Sequence, residues 1–401
     1  MKVKNLQVFH IPAGWRVWSF IKITTDSSIV GWSECTSSHG SSRGVEGAIK
    51  DQTRILASIP TIQNSLDRGA KILLVSHLGR PSEGNPDVKF SLQPVADCLK
   101  QILDEEVELV SELSDPLIFN SSARIQVLEN IRFFTGEKSN SEELGKCLAS
   151  LCDVYVFDAF GTSHREQAST YSAITHSNQA CMGLLLQKEI SALTKALNEY
   201  ENPYTAVIGG AKVSTKLELI KNINEKADFV IVGGGIANTF IKAAGNEVGV
   251  SLYEESMIDI AKELLDGGKI ILPETVITSL SFEGEEVTVK NICDVGENEM
   301  ILDQMLTRQM QDAINVSKTI LWNGPLGVFE NQLFATGTRN LSIAIASSNA
   351  FSIAGGGETI SAINKFIKAD DVSYCSTGGG AFLEFMEGKD LPSIQALKSK
   401  I

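Results

Sequence analysis

Three glycines, Gly355 to Gly357, followed by Glu358 and Thr359, lie between the apolar run Phe351–Ala354 and a helical pattern that reaches Ile363. Glycines at such a junction let backbone N–H groups approach a ligand closely. A helix opening at Glu358 adds unpaired donors and a positive dipole end, so a phosphate is favoured there. A tight structural turn is the alternative, and the spacing matches neither the P-loop nor the dinucleotide fingerprint. The motif gains weight from recurrence: Gly209-Gly210-Ala211-Lys212, Gly233-Gly234-Gly235 and Gly378-Gly379-Gly380 each follow a similar apolar strand. Glycine-rich strand ends repeated in this way point to one shared ligand site. Glu358 beside such a seat suits a Mg²⁺ ion, which takes few carboxylates together with phosphate oxygens and water.

A second group is cationic. His77, Arg80, Arg132, His164 and Arg165 all fall in loops after apolar strands, in a chain whose net charge is -14. Ligands of parallel α/β sheets sit at the carboxyl ends of the strands, so cations gathered there form an anion site. Lys212 and Lys216 stand one turn apart at the start of an expected helix, Val213 to Ile223, where the dipole disfavours them. A functional reason for them is therefore expected. One rim supplies arginines and histidines, and the other supplies glycine turns, Lys212, Lys216, Asn323 and Glu358. That division suits phosphoryl transfer from a nucleotide to an anionic acceptor, where positioning and charge neutralisation do nearly all of the catalysis. An acceptor that is already ionised needs no general base.

The elements that must hold these residues alternate along the chain. Ile55, Ile59, Ile62 and Leu66 recur at helical spacing, and Lys71–Val75 reads as a buried strand. Helix Leu92 to Leu103, strands Val107–Val110 and Ile125–Leu128, helix Glu142 to Leu151 and strand Val154–Phe157 follow. A helix from about Leu184 to Tyr200 joins the halves. Beyond it the spacing predicts strands at Thr205–Ile208, Phe229–Val232, Lys269–Leu272, Thr319–Trp322 and Phe351–Ala354, with helices at Ile258–Leu265 and Ile301–Ile314. Val287–Ile292 reads as an antiparallel addition. The fold class is α/β: two doubly wound parallel-sheet, Rossmann-like domains joined by a hinge helix.

Residues 1 to 50 differ. Trp18 to Trp32 contains two β-rich runs around Thr25-Asp26-Ser27-Ser28, a hairpin signal, and Ser37–Ser42 reads as a flexible loop. Trp15, Trp18 and Trp32 are expected to fill the core of a small sheet. The domains are therefore an atypical segment 1–50, an acceptor domain 51–183, a nucleotide domain 184–380, and a tail 381–401 returning towards the acceptor domain.

Composition agrees with a globular protein of 401 residues, 43% hydrophobic and 21% charged. The acidic balance argues against nucleic acid or an anionic membrane as partner. Seven cysteines, none in a Cys-x-x-Cys pair, read as mostly buried, reduced thiols of a cytoplasmic protein with no metal cluster of their own. No leader is expected, and the longest apolar run, near Ala180–Leu186, is too short to span a bilayer.

From Asp51 to the end the chain resembles the phosphoglycerate kinase family, which moves phosphoryl groups between ATP and 3-phosphoglycerate. The matching segments are Thr53–Ile55, Ser76–Pro81, Leu128–Phe133, Asp158–Arg165, Gly209–Lys216, Leu321–Glu330, Phe351–Ile363 and Ser376–Ala381. The resemblance implies that Arg54 stabilises the phosphoryl group in flight. It implies that His77, Leu78, Gly79, Arg80, Arg132 and Arg165 hold the phosphoglycerate together with Arg54. Lys216, Asn323, Glu330, Gly356, Gly357, Glu358 and Thr359 would hold the nucleotide, and Glu358 its Mg²⁺. Lys212, Gly356 and Gly379 would assist the transfer, with Gly378 nearby. A glycolytic, cytoplasmic, monomeric enzyme that closes a hinge between its domains is implied as well.

The departures are equally specific. The family opens with a strand reading roughly Arg-Val-Asp-Phe-Asn-Val-Pro, whose Asp and Asn contact phosphoglycerate, and this chain has no such segment. The stretch from Leu6–Arg16 through Arg43–Asp51 instead looks like the amino-terminal capping region of the enolase superfamily, whose barrel and acidic metal triad do not follow. The chain thus reads as a hybrid, natural or a product of how the gene was assembled. Strand Trp18–Thr25 is the candidate to fill the vacancy in the first sheet, although it lacks Asp and Asn at the needed spacing. Losing two hydrogen bonds to a charged substrate costs about 2 to 5 kcal/mol. Glu358 replaces the family's usual Asp, and Ile301–Met305 lacks a glycine the family tends to place there. The expected function is phosphoglycerate kinase of reduced activity, and the alternative is a silent nucleotide-binding hybrid.

Overall fold

A computed structural model describes residues 3–12, 17–25, 30–35, 53–113, 121–282, 284 and 287–400. The Ser37–Ser42 loop, Trp15 and the packing of Trp18 and Trp32 lie outside what is described. The chain forms two compact units, Met1–Asn64 and Ser65–Ile401. Among the described residues, no helix is long and apolar enough to cross a membrane. The cysteines expected to be mostly buried are instead half-buried at Cys98, Cys147, Cys152 and Cys375 and exposed at Cys181 and Cys293.

In the first unit, strands Val3–Pro12, Val17–Thr25 and Val30–Cys35 form an antiparallel sheet in sequence order. The hairpin is as expected, with Ser19 opposite Cys35 and Thr24 opposite Val30. The first strand was not foreseen, and it overturns one expectation. Val17–Thr25 is the middle strand, hydrogen-bonded along both edges by its own neighbours. It therefore has no free edge with which to complete another sheet. Helix Thr53–Asp67 follows and runs through Pro60.

The second unit is organised by a six-stranded parallel sheet. Its order is Ile270–Ile271, Phe229–Gly233, Tyr204–Gly209, Thr319–Asn323, Phe351–Ala354, Tyr374–Cys375. The strands read as unbroken apolar runs because both faces are covered. Tyr204, Ala206 and Ile208 share a core with Leu193, Leu219, Ile223, Ile236 and Phe240. The intervening Val207 points to the other core, with Ile231, Trp322, Met310, Ile314, Leu341 and Ile363. Alternate residues of one strand thus anchor two helical layers.

Two readings of this half are corrected. Met300–Gln304 is a strand, paired antiparallel with Thr275–Ser279, and the helix is confined to Arg308–Val316. The Thr307 hydroxyl accepts from Met310 N at 3.2 Å and so starts that helix, three residues after the strand. The helix expected from Val213 begins at Leu217, with Lys216 as its N-cap residue. Lys212 therefore precedes the helix rather than riding on its first turn. Thr288–Asn291 is antiparallel as expected, on the other edge of Thr275–Ser279.

The remaining strands of this unit form two smaller parallel pieces. Ile72–Leu74, Ile125–Leu128 and Val107–Val110 make one, with Ile125–Leu128 in the middle, and Tyr155–Phe157 pairs with Ala180–Met182 in the other. Leu73 of the first piece and Tyr155 of the second pack on the same core, around Leu128, Ile131, Leu144 and Leu148. The closing helix, Pro392–Lys398, is tied to this region by Ser393 N donating to Ser163 O at 3.1 Å.

Candidate functional site

The order in which strands are added to the six-stranded parallel sheet reverses between Tyr204–Gly209 and Thr319–Asn323, where Ile208 lies opposite Asn323. From there the strands step outward on one side and then on the other, which opens a crevice at their carboxyl ends. Three backbones crowd that crevice. A Cβ on Gly209 would lie 2.0 Å from Pro325 O, and one on Gly233 would lie 2.5 Å from the same oxygen. Gly234 has φ +63, and a Cβ there would come within 2.8 Å of Gly210 O. These glycines are needed by the protein itself. Gly357 and Gly379 differ, since a Cβ on either would meet nothing within 4 Å. They open helices Gly357–Phe366 and Gly379–Met386, whose first N–H groups have no partner within the helix.

Lys216 lies in the crevice. Its Nζ donates to Gly209 O at 2.5 Å and to Asn323 O at 3.2 Å. Burial pushes its pKa down to about 8, partly opposed by the charge of Glu358. A desolvated ammonium with only two carbonyl partners favours an anion beside it. Asn323 is buried; its Nδ2 donates to Gly355 O at 2.7 Å, while its Oδ1 has no protein partner. Thr359 ties the turn together by donating to Gly355 O at 2.8 Å and accepting from Gly324 N at 2.8 Å. Gly356 takes φ +95 beneath Asn323 Nδ2. Glu358 is exposed in the first helical turn. Lys216, Asn323 and Gly355 to Thr359 therefore form one linked cluster. Lys212 is exposed four residues before Lys216, and Glu330 is exposed at the end of the loop after Asn323, where Lys365 Nζ bonds its carbonyl at 3.4 Å.

The basic rim follows the two smaller sheet pieces. His77 to Arg80 leave strand Ile72–Leu74 through Gly79, at φ +64. Asn130 fixes this loop by donating through Nδ2 to Leu78 O at 2.7 Å and Phe90 O at 2.9 Å. Arg132 is buried and donates to Gly79 O. Burial, then the charges of Arg165 and Arg80, hold its guanidinium below its ordinary pKa, while Glu137 acts the other way. Arg165 Nε donates to His164 Nε2 at 3.3 Å, and burial followed by Arg165 pushes the His164 pKa down. A buried arginine repelled by the half-buried Arg165 and the exposed Arg80 favours an anion beside it. The rim also meets the glycine turns: a Cβ on Gly380 would touch His164 Nε2 at 3.1 Å, and one on Gly378 would strike the Phe160 ring at 2.5 Å. Arg54 is exposed on the first turn of Thr53–Asp67, in the first unit.

Several supporting residues escaped sequence reasoning. Asn130 lay inside a matched segment without a role. Thr338 Oγ1 accepts from Leu326 N at 3.1 Å and Gly327 N at 3.3 Å, and so holds the loop that carries Pro325. Glu189, fully buried on helix Leu184–Leu197, accepts from Thr377 N and Oγ1 at 2.7 and 2.6 Å, just ahead of Gly378. Helix Gly234–Ala243 was missed although Ile236, Phe240 and Ile241 carry a helical apolar spacing.

A doubly wound sheet with a buried lysine at its switch point, joined in one unit to an arginine-rich rim, defines an α/β phosphotransferase. The chain belongs to the phosphoglycerate kinase family. The family model described as phosphoglycerate kinase matches residues 42–389, beginning ahead of the resemblance seen from residue 51. A phosphoglycerate kinase of Vibrio campbellii is 48% identical over 358 residues, covering 88% of this chain and 92% of that protein. One of Francisella philomiragia is 49% identical over 363 residues, with coverage of 88% and 92%. The structure of phosphoglycerate kinase from Coxiella burnetii superposes with TM-score 0.81 at 43% identity, over 88% of this chain and 92% of that one.

Proposed function

We propose that the chain transfers a phosphoryl group reversibly between ATP and 3-phosphoglycerate, giving ADP and 1,3-bisphosphoglycerate. The observation that carries this reading is the Lys216 ammonium, desolvated at the switch point and bonded to carbonyls of both flanking strands. Lys216, the open N-termini at Gly357 and Gly379, Gly356, Thr359 and the spare acceptor of Asn323 receive the nucleotide, with Glu330 at the loop end. His77, Leu78, Gly79, Arg80, Arg132 and Arg165 receive the phosphoglycerate, whose carboxylate attacks the γ-phosphorus without needing a base. Arg54 and Lys212 neutralise the charge of the group in transit. Residues 51–183 act as acceptor domain and 184–380 as nucleotide domain, in a monomeric, cytoplasmic enzyme.

Glu358 fits a Mg²⁺ ion: it is an exposed hard-oxygen donor in a first helical turn, next to the open space at Gly357. When bound, the ion would neutralise charge on the phosphates. The two-piece acceptor sheet supports a raised phosphoglycerate requirement.

Steady-state ATP consumption with 3-phosphoglycerate and Mg²⁺, titrating each substrate, tests the proposal. Turnover with an ordinary ATP requirement and a raised phosphoglycerate requirement is expected. Arg54→Ala should abolish transfer and leave ATP binding unchanged. A folded protein that binds ATP without turnover would leave only the silent hybrid.

A further inference from the structure

Gln304 ends the strand that sequence reasoning took for a helix, and its side chain is 1% exposed. Its amide closes a ring with a single residue: Nε2 donates to Gly234 O at 3.0 Å, and Oε1 accepts from Gly234 N at 3.0 Å, an N–H it shares with Leu326 O, also at 3.0 Å. A side chain thus supplies the pair of bonds that one residue of an antiparallel strand exchanges with its partner. The second Nε2 proton goes to Asn238 Oδ1 at 3.2 Å, and Asn238 in turn donates to Leu252 O at 3.1 Å. Both amide donors are used inside the protein, away from solvent.

The residue being held matters. Gly234 is the first residue of helix Gly234–Ala243, and it packs on Gly210 so closely that a Cβ would sit 2.8 Å from Gly210 O. Ile236 N bonds the same Gly210 oxygen at 3.1 Å. Gly210 in turn lies against Lys216, with a Cβ position 3.3 Å from Nζ. Contact therefore runs unbroken from the Gln304 amide through Gly234 and Gly210 to the Lys216 ammonium. Nothing in the transfer reaction calls on Gln304 directly. A buried, doubly bonded amide at the base of such a stack fixes the height of one glycine turn against the other.

We propose that Gln304 is a positioning residue of the nucleotide site: by clamping both backbone groups of Gly234, it sets the spacing of the Gly210 and Gly234 turns and so the reach of Lys216 towards nucleotide phosphates. This rests on the nucleotide reading of the crevice. Gln304→Met keeps the chain length and removes all three bonds. Gln304→Glu keeps the acceptor for Gly234 N but, when ionised, loses both donors.

Calorimetric ATP binding and steady-state kinetics on the full chain test it. Gln304→Met should raise the ATP Kd and the ATP KM about tenfold while the phosphoglycerate KM stays within about twofold, a split that general loosening of the fold would not produce. Gln304→Glu should show the same loss at neutral pH and recover ATP affinity as the pH falls and its buried carboxyl regains a donor proton. ATP affinity within twofold of the parent in both variants, or equal losses for both substrates, overturns the proposal. Should Gln304→Met fail to fold, the pH profile of Gln304→Glu decides alone. A parent protein that does not bind ATP sinks the nucleotide reading itself, whereas a parent that binds with indifferent variants sinks only the role of Gln304.

Discussion

The two halves of the larger unit are built from the same kind of strand and end in different states. Tyr204–Gly209 has a hydrogen-bonded neighbour on each edge and is buried at every residue. Among the described residues, Ile72–Leu74 is paired on one edge only, and it is part-exposed at every residue. At the other small piece Val156 is 40% exposed, and Val154, just before its strand, 41%. Each such valine forgoes part of the roughly 1.5 to 3 kcal/mol that full burial of an aliphatic side chain yields. The difference teaches where the sequence is complete. The six-stranded half joins its strands in one sheet between two cores, while the other half holds two sheet pieces around one core, without a paired strand between them among the described residues.

The comparison breaks most readily at Lys216. If the complete sheet is the phosphate site, Lys216→Met should lower kcat roughly 10² to 10³-fold, the scale of losing one preorganised charge donor. A pH dependence follows from the same residue. Its pKa of about 8 in the free protein reflects burial, and bound phosphates favour the ammonium. ATP binding should therefore take up a proton above about pH 8, and the ATP Kd should rise about tenfold per pH unit there, with Lys216→Met flattening the profile. In the free protein the unfolded chain binds more protons between that value and the ordinary lysine value of 10.5, so stability rises with pH through this window. Calorimetry in buffers of different ionisation enthalpy reads the proton directly. Transfer surviving Lys216→Met within threefold would separate completeness of the sheet from function.

A smaller effect sharpens the structural side. Amide hydrogen exchange should find Tyr204–Gly209 among the slowest segments, opening only with the whole unit. Ile72–Leu74 and Tyr155–Phe157 should exchange on the order of a hundredfold faster, because their free edges open locally. Equal protection in the two halves would mean that the two small sheet pieces are closed by contacts other than their strand pairing.

How much of this was legible depends on what each residue's neighbours demand. Thr319–Asn323 and Phe351–Ala354 were readable because strands covered on both faces are apolar throughout. Met300–Gln304 was not: Ile301, Leu302 and Met305 imitate a helical spacing, and only pairing with Thr275–Ser279 decides for a strand. Helix Gly234–Ala243 was hidden by its opening glycines, which local reasoning treats as a break, although here they permit close contact with Gly210 and Ala211. The glycine turns and cationic loops were visible as chemistry. The sequence did not separate glycines that serve packing, such as Gly209, from those that face open space, such as Gly357. Roles for Arg54 and Glu330 came from family resemblance alone, and nothing in a single sequence marks Gln304 as buried.

The smallest effect is also the cleanest test of which glycines face a ligand. Gly357 opens a helix, and a methyl group there meets nothing within 4 Å. Gly357→Ala should therefore leave the free protein intact, and reduced freedom of the unfolded chain should add about 0.4 to 1 kcal/mol of stability, read as a slightly higher Tm. The same methyl group would stand where phosphate oxygens approach the helix N-terminus, so the ATP KM should rise a few-fold with the phosphoglycerate KM unchanged. Stability and affinity would then move in opposite directions from a single carbon atom, which packing alone cannot produce. If Tm rises and the ATP KM does not move, helix Gly357–Phe366 is not the phosphate seat, and the complete sheet must hold its nucleotide through Lys216 and the N-terminus at Gly379.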